Sequence, residues 1–133
     1  MIVCLDTNIV IDFVERDPVW KPKVDARLKA IVAAGDTLAV CDAARLECLV
    51  GPFRSGDAAV LVDYQMFFGL PGIQMLPVTP MVWERAAKVR ATYKFHGLDS
   101  IHLASAIEYG CGLFLTNDSL LSRCSTIPVE VLV

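Results

Sequence analysis

Short apolar runs alternate along this chain with longer segments of helical spacing, and that alternation restricts the fold more than any other feature. Ile2–Leu5, Thr37–Cys41, Leu113–Thr116 and Pro128–Val133 are β-branched runs bounded by turn or charge signals, and Ile73–Leu76 is a weaker fifth. No hairpin turn signal joins one run to the next. Strands separated by helices form βαβ units, and such units build a parallel sheet covered on both faces. The apolar character of the runs agrees, because a strand buried on both faces is hydrophobic throughout.

The intervening segments predict the helices. Residues 8–15 make two turns from Asn8, and Val24, Leu28, Ile31 and Val32 recur at helical offsets on a segment ending near Gly35. Asp42 is expected to cap a helix through Val50, and Asp57 another through Phe68. Thr79-Pro80 reads as an N-cap with Pro at the first helical position, opening a helix to about Phe95, and Asp99 caps one ending at Gly110. The expected architecture is a single three-layer α/β/α domain over residues 1–133, with a mostly parallel central sheet of four to five strands.

Composition narrows the class. With 55% hydrophobic and 20% charged residues among 133, intrinsic disorder is excluded. No run reaches the about 18 apolar residues of a membrane helix. The start, Met1-Ile2-Val3-Cys4-Leu5-Asp6, lacks a basic region and breaks at an acid, so no signal peptide and a cytoplasmic location are expected. Five cysteines without a C-x-x-C pair read as small buried hydrophobes in a reducing compartment. A net charge of −3 speaks against nucleic-acid binding through bulk positive charge. Its distribution is uneven, however. Residues 1–15 and 95–133 carry −3 each, and residues 16–94 carry +3.

In a parallel α/β sheet the functional cleft lies beyond the carboxyl ends of the strands. Asp6 follows the first run, Asp42 the second and Asp118 the fourth, with Glu47 inside the helix behind Asp42 and Asp99 opening the helix that feeds the fourth run. Capping alone accounts for any one of Asp42, Asp99 or Asp118. It does not account for Glu47, set among Leu46, Cys48, Leu49 and Val50, or for Asp6 at the end of a buried strand. Carboxylates converging in one cleft raise each other's pKa unless a cation compensates. Oxygen donors with little sulfur or imidazole select Mg²⁺ or Mn²⁺, as one ion with a carboxylate base or as a pair. No P-loop, no complete dinucleotide fingerprint and no G-x-S-x-G elbow is present.

These motifs resemble the PIN-domain ribonucleases, specifically the VapC-type toxins of type II toxin–antitoxin pairs. The resemblance is carried by Leu5-Asp6-Thr7-Asn8, by Glu47 in Leu46-Glu47-Cys48-Leu49-Val50-Gly51, by Leu98-Asp99-Ser100-Ile101-His102-Leu103-Ala104-Ser105-Ala106 and by Leu115-Thr116-Asn117-Asp118. It implies a Mg²⁺- or Mn²⁺-dependent endoribonuclease with Asp6, Glu47, Asp99 and Asp118 as the catalytic acids. Asp6 and Asp99 would be the principal metal ligands, with Asp118 and Glu47 completing the pocket directly or through water. Asn8 would fix Asp6, and Thr116 and Asn117 would orient the pocket or touch the substrate phosphate. It further implies an RNA substrate, a homodimer and a small antitoxin protein covering the cleft.

Two positions depart from the pattern. Asp42 stands where relatives often carry Ser or Thr and is expected as a helix cap. His102, three residues after Asp99 and on the same helix face, is placed either near the pocket to donate to a phosphate or in the core or a subunit interface, and the second is expected. His96 is read as a loop residue. Arg45, two residues before Glu47, is placed to meet a phosphate or an antitoxin acid. Two functions compete with the nuclease. A non-cleaving PIN-like RNA- or protein-binding module is disfavoured by retention of all four acids. A receiver-like signalling domain is disfavoured because no Lys follows Lys94.

Overall fold

A computed structural model describes residues 1–133. Five strands, β1 (Ile2–Leu5), β2 (Thr37–Cys41), β3 (Ile73–Leu76), β4 (Leu113–Thr116) and β5 (Val129–Val131), form one sheet in the order β3-β2-β1-β4-β5. Every pairing is parallel, with Cys4 opposite both Ala39 and Phe114. Six helices connect the strands: α1 (Thr7–Val14), α2 (Lys21–Ala33), α3 (Ala44–Ser55), α4 (Ala58–Phe68), α5 (Pro80–Tyr93) and α6 (Gly97–Glu108). A 3₁₀ turn at Ser119–Arg123 lies between β4 and β5.

Strand periodicity splits the core into two layers. Val3, Leu5, Leu38, Val40 and Leu115 face one side and pack with side chains of α1, α2, α3 and α4. Cys4, Ala39, Leu76 and Phe114 face the other and pack with Val89 of α5 and Leu103 and Ala106 of α6. The three-layer reading therefore holds, and the run at Ile73–Leu76 is a full strand. All five cysteines are free and buried.

The helix ends differ from expectation where a cap was assigned from residue type alone. Asp57 and Thr79 do cap, accepting from the backbone N–H of Val60 and Val82. Asp42 does not: α3 starts from Ala43 and continues past Val50 to Ser55, while the Asp42 carboxylate takes Arg45 Nε at 2.6 Å. A neighbouring guanidinium offers a charge-assisted bond that outcompetes the cap. Asp99 lies inside the first turn of α6, because the helix begins two residues earlier at Gly97 and ends at Glu108. Helix α5 stops at Tyr93, where Lys94 turns left-handed at φ 60°.

The strand order locates the cleft. The chain starts at the centre, builds outward through β2 and β3, then crosses back to lay β4 on the other side of β1. The connections leaving β1 and β4 thus run in opposite directions and open a crevice between their carboxyl ends. Asp6 directly follows β1, Thr116 ends β4, and Asp118 lies two residues beyond it.

Candidate active site

Asp6 is the centre of the crevice and is only 2% exposed. Its backbone N–H continues the sheet by donating to Leu115 O, and its side chain caps α1 by accepting from Thr7 N at 2.8 Å. The other carboxylate oxygen accepts from Thr116 Oγ1 at 2.7 Å and Asn8 Nδ2 at 3.2 Å. Burial pushes the Asp6 carboxyl up, against His102, Thr116 and Thr7, which pull it down. The fully buried Thr116 hydroxyl also accepts from Asp118 N at 3.0 Å, so one side chain spaces two acids.

Asp99 enters from the first turn of α6. Burial raises its carboxyl, and the negative charges of Asp6 and then Asp118 raise it further. These three carboxylates therefore share one field, with net like-charge repulsion. Glu47 enters from α3 and behaves oppositely. Burial raises it, but the hydrogen bond and charge of His102 and the Thr7 hydroxyl prevail and hold it below the usual glutamate range. Its Oε1 accepts from Thr7 Oγ1 at 2.8 Å and meets His102 Nε2. His102 is buried, as expected, but inside the acidic cluster and not in an apolar layer. Burial pulls its imidazole down, yet Cys41, Glu47 and Asp6 outweigh this and hold it at about 10.

The remaining sequence candidates divide. Asn8 joins Asp6 and Thr116. Asn117 turns away, its side chain donating to Asp12 Oδ2 at 2.8 Å while its backbone N–H donates to Asn8 Oδ1 at 3.3 Å. Asp12 is raised by burial and by Asp17, against Asn117. Arg45 is half-exposed and paired with Asp42. The sequence assigned Thr7 no role in the cluster and favoured a core or interface place for His102 over one near the pocket. The available signals were the position of Thr7 directly after Asp6 and the i, i+3 spacing of Asp99 and His102. His96 stands at the N-cap of α6, and its charge reaches Glu47.

No three of the His, Cys, Asp and Glu side chains close tightly enough to enclose an ion by themselves. The donor set nonetheless suits a hard divalent cation, because Mg²⁺ keeps several waters and needs only one or two carboxylates. The like charges of Asp6 and Asp118 that raise Asp99 are what such a cation would offset.

A sequence model of the PIN domain matches residues 3–126. The chain belongs to the PIN domain family. A comparison with curated proteins returns no match. Among solved structures, this PIN fold superposes at TM-score 0.82 on VapBC2 from Rickettsia felis bound to a DNA fragment from its promoter, at 16% identity over 98% of both chains. A toxin–antitoxin complex from Klebsiella pneumoniae matches at TM-score 0.73 and 19% identity, covering 98% of each chain. FitAcB from Neisseria gonorrhoeae matches at TM-score 0.73 and 18% identity, covering 96% of this chain and 95% of that one. At these identities the likeness establishes the PIN fold. Within the chain, no helix is long and apolar enough to cross a membrane.

Proposed function

We propose that this PIN domain is a Mg²⁺- or Mn²⁺-dependent endoribonuclease, acting over its whole length as the VapC-type toxin of a toxin–antitoxin pair. The observation that carries the reading is the convergence of Asp6, Asp99 and Asp118 at the β1/β4 crevice, where burial and the charges of Asp6 and Asp118 raise the Asp99 carboxyl. When bound there, a divalent cation supplies positive charge at the scissile phosphate and at the attacking water. Asp6 and Asp99 would be its principal ligands, with Asp118 and Glu47 taking part directly or through water.

The chain's own residues prepare this site. Thr116, Asn8 and the Thr7 backbone fix the Asp6 carboxylate from three directions before any ligand arrives. Asp118 is oriented through its own N–H on Thr116 and as the cap of the following 3₁₀ turn. Cations for the RNA backbone come from residues 16–94, but Lys21, Arg27, Arg45 and Arg85 already have acidic partners. Lys23 and Lys29 of α2 and Lys88, Arg90 and Lys94, on or just after α5, have no such partner and are candidates for phosphate contacts. The toxin assignment draws on the toxin–antitoxin complexes among the fold's neighbours, and with it come a small antitoxin partner, a homodimer and a cytoplasmic setting.

The test is incubation with RNA in Mg²⁺ or Mn²⁺, repeated with EDTA and with Asp6→Asn or Asp99→Asn. Cleavage is expected only in the metal-replete wild type. Cleavage surviving both substitutions sinks the site.

A further inference from the structure

We propose that His102 is a positioning residue of the cleavage site, orienting Glu47 directly and Asp6 through Thr7. The inference rests on the nuclease reading above and adds to it a buried residue outside the four acids.

His102 stands one turn after Asp99 on α6, and its ring is 1% exposed. Its Nε2 contacts Glu47 Oε1 and lies 3.1 Å from Thr7 Oγ1, while the Thr7 hydroxyl donates to the same Glu47 oxygen at 2.8 Å. Three helices, α1, α3 and α6, are therefore pinned at one carboxylate oxygen. An Nε2–H donates to that oxygen whether or not Nδ1 carries a proton, so the contact follows from geometry alone. Nδ1 is buried without a partner. On the Nε2 side the ring is oriented by Glu47 and Thr7.

The link to Asp6 runs through Thr7, whose side chain is in this triad and whose backbone N–H donates to Asp6 Oδ1. A shift of Thr7 moves the first turn of α1, and with it the donor that aims the most buried acid of the site. Glu47 is in greater need of an anchor than Asp6. It projects from α3, a helix that begins without a side-chain cap, and its own side chain is 28% exposed. Residues that orient ligands from behind are worth about 10- to 100-fold in metal affinity or activity.

Two variants of similar volume separate positioning from space filling: His102→Leu keeps the packing and loses the donor, and His102→Gln restores an N–H donor. Each is checked for fold by circular dichroism, titrated calorimetrically with Mn²⁺ without RNA, and assayed for RNA cleavage. His102→Leu is expected to lose about 10- to 100-fold in kcat and about tenfold in Mn²⁺ affinity, with KM for RNA within about twofold. His102→Gln is expected to recover most of both losses. Wild-type Mn²⁺ affinity and kcat in His102→Leu, or equal impairment of Leu and Gln, overturn the proposal alone. A wild type that neither binds Mn²⁺ nor cleaves RNA overturns the nuclease reading and this proposal with it. If Leu fails to fold, the Gln variant still decides, because a folded Gln protein with losses of tenfold or more contradicts rescue by a donor.

Discussion

Thr116→Val is the perturbation that most directly probes how the crevice is held together. Valine keeps the volume and the β-branch of this fully buried strand residue, so no cavity opens. The hydroxyl is lost, and with it the 2.7 Å bond to Asp6 and the acceptor for Asp118 N. A hydrogen bond to a charged group contributes about 1.5–3 kcal/mol, and the orphaned N–H adds up to about 1 kcal/mol because Asp118 is near enough to water to be partly resatisfied. The expected loss is about 2–4 kcal/mol. With an unfolding entropy of about 2.1 cal/mol/K per residue, 1 kcal/mol is about 4 °C for a chain of this length, so Tm should fall by about 7–14 °C. Thr116→Ser keeps the hydroxyl and loses one methyl, at about 1 kcal/mol. The pH dependence carries a sign. Burial raises the folded Asp6 carboxyl above its unfolded value of about 3.9. Stability from this group is therefore present below that value and is lost as pH rises to the raised folded one. Removing Thr116, which pulls Asp6 down, lifts the folded value further. The gap between wild type and Thr116→Val should widen as pH rises through this window and narrow in acid. Thermal unfolding by circular dichroism from pH 3 to 8 measures all of this. Equal melting of the Val and Ser variants at pH 7 would refute the reasoning.

Further outcomes follow from the same electrostatics and packing. Asp99→Asn should melt higher than wild type at pH 7 while losing RNA cleavage, because burial and the charges of Asp6 and Asp118 oppose its ionisation; the advantage should vanish below about pH 4, where the unfolded carboxyl is protonated. Millimolar Mn²⁺ should raise the wild-type melting temperature, by about 2.7 kcal/mol of added stability at 100 times Kd, and leave an Asp6→Asn, Asp99→Asn double variant unmoved. Arg27→Met should cut the two-pronged contact that ties α2 to Glu130 of β5 at 2.6 and 2.8 Å. Both side chains are about one-third exposed, so the cost is held to about 1 kcal/mol and should shrink in 1 M salt, as denaturant titration can show.

Much of this fold is readable because its strands are doubly buried. Ile2–Leu5, Thr37–Cys41 and Leu113–Thr116 are strands with the limits their apolar runs suggest, since a residue covered on both faces must be apolar wherever the strand continues; the edge strand Ile73–Leu76, with Gln74 exposed, was correspondingly the weaker signal. Helix ends were less readable. Asp42 and Asp57 look alike in sequence, yet only Asp57 caps, because Asp42 has Arg45 beside it. Asp42 also did not signal that α3 continues through Gly51 and Pro52 to Ser55.

For the site, the inventory is already legible in the residues: four acids, their places at strand ends and helix starts, and the oxygen-donor chemistry they imply. The partnerships arise only on folding. Folding gave Asn117 to Asp12 and Arg45 to Asp42, and it brought His102 of α6 to Glu47 of α3, residues 55 positions apart. Burial periodicity is a local property, written in each strand or helix separately. Hydrogen-bond pairing at a crevice depends on the order in which the strands are laid side by side. With β4 placed against β1, Thr116 meets Asp6 across 110 residues of chain, and no spacing rule within one element contains that contact.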